Sequence, residues 1–208
     1  MRYCRNATWN TALALAGAFG LASAQPSSGG PDRLARRLAD FGTRDMAIEE
    51  VVASPSTLIP VLLSWATNPP SGVRASDLDV GLAEAFDRIP TEAAIPFLIR
   101  VISIKRLQVT IAPWIKGPSS VVFEYPAAEA LIRIGAPAAA AVLKAAQGPM
   151  TQEERLLAIF VVGQTDSVPG AREFLLRAVA QANDERAWAE KGLERLKERE
   201  EKGQDALK

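Results

Sequence analysis

The sequence predicts an all-α protein: a right-handed α-solenoid of about four helix pairs, with a capping helix at each end and a β-hairpin inserted mid-chain. Three observations predict it. Apolar residues recur at i, i+3, i+4 and i+7 in paired segments a few tens of residues apart, the mark of stacked two-helix units that bury their apolar faces only against one another. Glycine and proline fall at comparable places between the segments. The two ends are amphipathic and rich in charge, as terminal units of such an array must be to avoid end-to-end association.

The second helices of the four pairs align as Leu58/Val61/Leu62/Trp65, Ala94/Phe97/Leu98/Val101, Ala139/Val142/Leu143/Ala146 and Ala171/Phe174/Leu175/Ala178. Each set is one face of a 3.6-residue helix. Successive sets are offset by 36, 45 and 32 residues. The first helices give Ile48/Val51/Val52, Leu82/Ala85/Phe86/Ile89, Ala127/Ala130/Leu131/Ile134 and Ala158/Ile159/Val162.

Gly135 is placed to stop a helix, because glycine accepts the left-handed conformation found there. Pro137 suits the opening turn of the next helix. Gly163 is read as the same stop in the fourth pair, and Pro55 and Pro90 as breaks in the first and second. Pro60 and Pro96 hold equivalent positions in Ile-Pro-Val-Leu and Ile-Pro-Phe-Leu, where a helix start tolerates the missing N–H. Residues 32–42 form the first cap, with Leu34, Leu38 and Phe41 inward. Residues 184–202 form the last, on a stripe of Trp188, Ala189, Leu193 and Leu196.

AAEALIRIGAPAAAAVLKAA at 127–146 resembles a HEAT repeat, of the short type also found in phycobilisome lyases, and LAEAFDRIPTEAAIPFLIRVI at 82–102 is similar. The resemblance covers roughly residues 44–181. It implies an armadillo-like superhelix that serves as a scaffold and protein-binding surface, and it is nearly silent about activity. In one respect the chain departs from the family: residues 103–126 separate the second pair from the third, where a few residues are usual.

That insertion is the expected recognition element. Leu107, Val109 and Ile111 alternate with polar residues, 116–120 reads as a turn, and 121–125 as a returning strand. Trp114, Phe123 and Tyr125 gather aromatics there beside Lys116, and aromatics dominate binding hot spots. These four are the candidate partner-binding residues. The bland alternative is that the rings fold back as core between the second and third pairs.

Before the helices comes a leader. Arg2 and Arg5 precede an apolar run at 11–21, and Ala22-Ser23-Ala24 fits a small-x-small cleavage site, so residues 1–24 read as a signal peptide and 25–31 as a flexible tether. The apolar run is short for a membrane-spanning helix, which needs about 20 residues. A periplasmic or secreted location is expected, with residues 32–202 folded and 203–208 a frayed tail. The processed chain carries 22 basic and 24 acidic residues, which suggests neither nucleic acid nor an anionic membrane as partner.

Chemistry is sparsely represented. The only cysteine, Cys4, lies in the leader, and histidine is absent. Thiolate and histidine nucleophiles and their metal sites are therefore excluded, including the paired His and Glu that hold iron in some HEAT-like enzymes. Ser28-Gly29-Gly30 lacks the context of a phosphate loop. No catalytic, cofactor-binding or metal residue is expected. Asp77 and Asp79 read as a loop pair whose role is to cap a helix, and Glu153 and Glu154 as acids of a first turn. The runner-up function is a carboxylate-using enzyme or accessory factor acting on a saccharide or small ligand through Asp77, Asp79 and Glu124. Paired acids at about 5–9 Å would be required for glycoside chemistry.

The aligned faces carry a stability prediction. Leu98→Ala and Leu143→Ala should each cost about 2–5 kcal/mol through the cavity left behind, and Glu198→Ala should be nearly silent. Urea midpoints of the three variants check it; equal midpoints would mean the helix faces are misassigned.

Overall fold

Short helices with one apolar stripe must find neighbours, and here they find them in one another. The computed structural model describes residues 30–106, 124–165, 168–181 and 184–205. Among the described residues there are ten α-helices: α1 Pro31–Ala39, α2 Arg44–Ala53, α3 Pro55–Thr67, α4 Ala75–Arg88, α5 Ile95–Arg100, α6 Pro126–Ile134, α7 Ala136–Ala145, α8 Gln152–Gln164, α9 Ala171–Val179 and α10 Asp184–Asp205. A 3-10 turn at Glu92–Ala94 leads into α5, and no strand occurs among the described residues. The expected hairpin falls almost wholly on 107–123, outside them, as do the leader and the tail's last three residues.

The segments expected as four pairs are helical, at α2 and α3, α4 and α5, α6 and α7, and α8 and α9. One row runs α1, α4, α6, α8, α10, each helix packed on the next. In the other row α5 packs on α7 as well as on α6, and α7 and α9 both lean on α8. One continuous apolar core joins them. Phe86 meets Phe97 edge-on at 5.9 Å between ring centres, and Phe160 meets Trp188 at 5.8 Å. The aligned stripes supply most of that core: Leu62, Leu82, Phe86, Leu98, Leu131, Ile159 and Leu175 are all fully enclosed. Leu143 is only half-buried, so its truncation belongs at the low end of the range given above.

Several helix ends obey local rules. Gly135 has φ 83° and separates α6 from α7, and Pro137 opens α7, as read from the sequence. Thr151 accepts from the Glu154 N–H while the Glu154 carboxylate accepts from the Thr151 N–H, a complete capping box. Other ends are finished from a distance. The last turn of a helix leaves carbonyls without intrahelical donors, and arginines of other elements reach them. Arg44 donates to Leu38 and Ala39 at the end of α1, at 2.8 and 3.3 Å. Arg100 donates to Ala66 in α3 at 2.5 Å. Arg199 of α10 donates to Gln164 at 2.6 Å and to Thr165 at the end of α8.

Four expectations need correction. Phe41 does not face inward: α1 ends at Ala39, the chain turns, and the ring is left 59% exposed. Gly163 does not stop a helix, since α8 continues to Gln164. It lies where α8 crosses α10, and a Cβ there would stand 2.7 Å from the Gly192 Cα. Pro60 sits inside α3, which starts a turn earlier than expected, at Pro55. The N–H it lacks would have bonded the Ser56 carbonyl; both residues are exposed, so water satisfies that group. Asp77 and Asp79 form no loop pair and cap nothing, because α4 already begins at Ala75 behind Arg74.

The crossing of α8 and α10 yields a prediction. Gly163→Ala should lose about 1–3 kcal/mol, because overpacking outweighs the roughly 1 kcal/mol helix-propensity gain of alanine over glycine. Gly42→Ala, whose Cβ would meet only an Asp40 carboxylate oxygen at 3.7 Å, should stay within about 0.5 kcal/mol of the parent. Chemical denaturation followed by circular dichroism measures both; a Gly163→Ala as stable as Gly42→Ala would show that the helices do not touch backbone to backbone.

Candidate functional site

Two features stand out from the helix packing: the root of the insertion and a cleft between the third and fourth pairs. The root is built from charge. The backbone N–H of Arg106 donates to the Glu124 carbonyl at 2.8 Å, so the chain leaves for residues 107–123 and returns from them at one point. The Arg106 side chain ties that point to both flanking helices, with Nε 2.8 Å from Glu84 of α4 and an Nη 3.4 Å from Glu129 of α6. Glu84 also receives Arg44 of α2 at 3.6 Å. Glu129 shares Arg133 with Asp87, at 3.1 and 2.6 Å respectively. Three arginines and three acids thus alternate along the seam between α4 and α6.

A second set pins the root to α8. The Tyr125 hydroxyl donates to Glu153 at 2.6 Å, the Lys105 ammonium lies 2.8 Å from the same carboxylate, and it also sits 5.2 Å from the centre of the Tyr125 ring. The Lys105 and Tyr125 hydrogen bonds hold the Glu153 carboxyl below its ordinary range, and those of Glu153 and Tyr125 raise Lys105. Burial, reinforced by the Glu153 contact, pushes the Tyr125 phenol up to about 12.

The cleft has a different character. About 650 Å³ opens where the end of α7 and the face of α9 are spread apart over α8. Leu143, Ala146, Phe174 and Ala178 form its walls, with Ile159 beneath. Charges line it in compensated pairs, Arg155 with Glu185 at 3.7 Å and Arg177 with Glu173 at 2.9 Å. Glu153 and Arg155 are two residues apart on α8, about 200° around the helix. The root and the cleft therefore lie on opposite faces of α8.

The candidate partner-binding residues divide accordingly. Trp114, Lys116 and Phe123 lie outside the described residues. Tyr125 is described, and it is buried at 8% exposure with its hydroxyl engaged, in the role of a support for the insertion. The three acids of the runner-up reading are dispersed. Asp77 pairs with Arg74 at 3.5 Å, Asp79 approaches Arg100 at 3.9 Å with its carboxyl raised by burial, and Glu124 stands at the root. Neither the cleft over α8 nor a second one of about 420 Å³ beside Phe41 contains two of them. No cluster of three metal-ligating side chains occurs among the described residues, and no described helix is long and apolar enough to cross a membrane.

Sequence reading missed Glu84, Asp87, Arg106, Glu129 and Glu153 as partners at the root. The available signal was modest: acids at 84, 87 and 129 interrupt helices whose neighbouring positions are apolar, and the insertion is preceded by Lys105-Arg106. No family model, curated protein or solved structure matches the chain.

The root carries its own prediction. Arg106→Ala takes one of two counter-ions from each of Glu84 and Glu129, both mostly buried, and should cost about 1–3 kcal/mol, below the figure for a fully buried pair. Arg186→Ala breaks an exposed i, i+4 pair with Glu190 and should cost under about 0.5 kcal/mol. Thermal denaturation of the two variants makes the comparison; equal losses would place the Arg106 guanidinium in solvent.

Proposed function

We propose that this chain is an exported, non-catalytic scaffold, an α-solenoid of HEAT type that binds another protein. Four consecutive helix pairs and the row of stacked helices from α1 through α10 support the solenoid reading, with α3, α5, α7 and α9 as its concave side. The leader at 1–24 supports export. The observation that carries the binding reading is the cleft over α8. Its walls mix the apolar side chains of Leu143, Ala146, Phe174 and Ala178 with polar ones, its opening is broad, and its lining charges already neutralise one another. Such a surface favours an occupant held by apolar side chains, with charge setting register. Concave apolar sites with a few fixed polar groups are the ordinary form of recognition surfaces.

The insertion is the second element of the proposal, with Trp114, Lys116 and Phe123 as its contact residues. The root fixes where it leaves the fold, because Arg106 and Tyr125 hold both of its ends against α4, α6 and α8. Catalysis by carboxylates receives no support from the arrangement of Asp77, Asp79 and Glu124.

The test is site-specific photocrosslinking in the producing cell. A photoreactive phenylalanine analogue is placed at position 174 in the cleft, at 114 in the insertion, and at 198 on the charged face of α10. One protein adduct shared by 174 and 114, absent at 198 and lost when Leu143→Arg closes the cleft, is the expected result. Adducts at 198 alone, or only a small molecule retained in native mass spectra of the purified chain, would overturn the protein-binding reading.

A further inference from the structure

The proposed binding surface makes no use of Asp87, one of two acids enclosed among the described residues. It is 6% exposed near the end of α4, on the seam with α6. Its Oδ1 lies 2.6 Å from Arg133 Nε, a strong ionic contact, yet no N–H is aimed at that buried oxygen. The cation is also shared, because Arg133 reaches Glu129 at 3.1 Å. Arg106 is divided in the same way between Glu84 and Glu129.

The surroundings leave Asp87 short of compensation. From α6 it faces Glu129, of like charge, and Arg133. From the approach to the insertion it faces Arg106. On its own helix Glu84 stands one turn earlier, taking up Arg44 of α2, while the adjacent Arg88 turns to Glu49 of α2 at 2.8 Å. Arg37 of α1 is engaged with Glu50 at 2.5 Å, and α3 has no charged residue. The cations nearest Asp87, Arg133 and Arg106, are thus each shared with another acid, and the Asp87 carboxylate is held away from water.

We infer that the α4–α6 seam is a proton-operated latch: one proton taken up by Asp87 tightens the contact between the two helices and the insertion root, and its loss loosens them. Protonation removes the repulsion between Asp87 and Glu129, and lets Arg133 settle on Glu129 alone. Burial first, and then the Glu129 charge, raise the carboxyl from 3.8 to about 6, against the pull of Arg133 and Arg106. The sign follows from linkage. The closed seam binds the proton more tightly than the open one, so its extra stability is complete below about pH 4 and is lost as pH rises through about 6.

The experiment is amide hydrogen exchange of the full chain from pH 5 to 8, corrected for intrinsic exchange. Opening at Leu82 in α4 and Leu131 in α6 should increase about tenfold over that range, while Ala189 in α10 changes less than twofold. Asp87→Asn should flatten the profile at the tight, acid-side level. Carbon-13 titration of the Asp87 carboxyl in the parent chain gives an independent reading and should show a midpoint near 6. A midpoint under 4.5, a pH profile that survives Asp87→Asn, or equal changes at Ala189 would each overturn the latch.

Discussion

Helices this short cannot stand alone, and that constraint shapes the whole molecule. Isolated helices under about 12–15 residues are marginal in water, and α1, α2, α5, α6, α7 and α9 have ten residues or fewer. Their stability comes from burial against neighbours. Each helix lends its stripe to the next one along the row, and the core is continuous from Leu34 to Leu196. The same shortness multiplies helix ends, each with carbonyls in want of donors. Arg44, Arg100 and Arg199 meet that need from other helices, so the fold is sewn at its ends as well as filled at its centre. Arginine suits the task, since its planar fork can serve two carbonyls at once and keeps its charge at any working pH.

This division explains what the sequence discloses. Apolar periodicity is local, so the faces of α2 through α9 could be read directly, and Gly135 with Pro137 marked a true boundary. Gly163 has the same local look but a different cause. Its partner is Gly192, 29 residues away, and only the crossing of α8 over α10 tells a packing glycine from a terminating one. Phe41 fits an inward stripe on paper, but the stripe counts only while the helix lasts, and α1 ends two residues before it. The arginine caps were beyond reach for the same reason as the root: their partners lie distant in the chain, as Arg106 and Glu84 do, and charge pattern alone does not say which residues will meet.

The geometry around α8 sets the character of the proposed scaffold. One face of its first turn receives Lys105 and Tyr125 through Glu153, and the opposite face lines the cleft through Arg155 and Ile159. A single rigid helix, started by a capping box and ended by Arg199, stands between the two surfaces. A partner seated in the cleft and one held by the insertion would touch different sides of the molecule. Bridging two contacts, or gripping one partner around an edge, follows naturally from that placement. Tyr125 is then best understood through its anchorage: an aromatic ring buried at the base of an insertion orients whatever the insertion carries, without needing to be touched.

A buried carboxylate whose cation is shared with a second acid is a cost that an apolar residue would avoid. The neighbouring positions of α4 show that the site accepts one: Ala83, Ala85 and Phe86 are all enclosed. Asp87 therefore has to be understood by what a hydrophobic residue could not do. A leucine would hold α4 to α6 equally at every pH, and it would leave Arg133 to Glu129. An acid in that place couples the seam to the proton concentration outside the molecule, and through Glu129 and Arg106 it couples the base of the insertion as well. The link between the two proposals is thus physical: the acid that weakens the seam shares Arg133 with Glu129, and Glu129 in turn pairs with the arginine that positions the insertion.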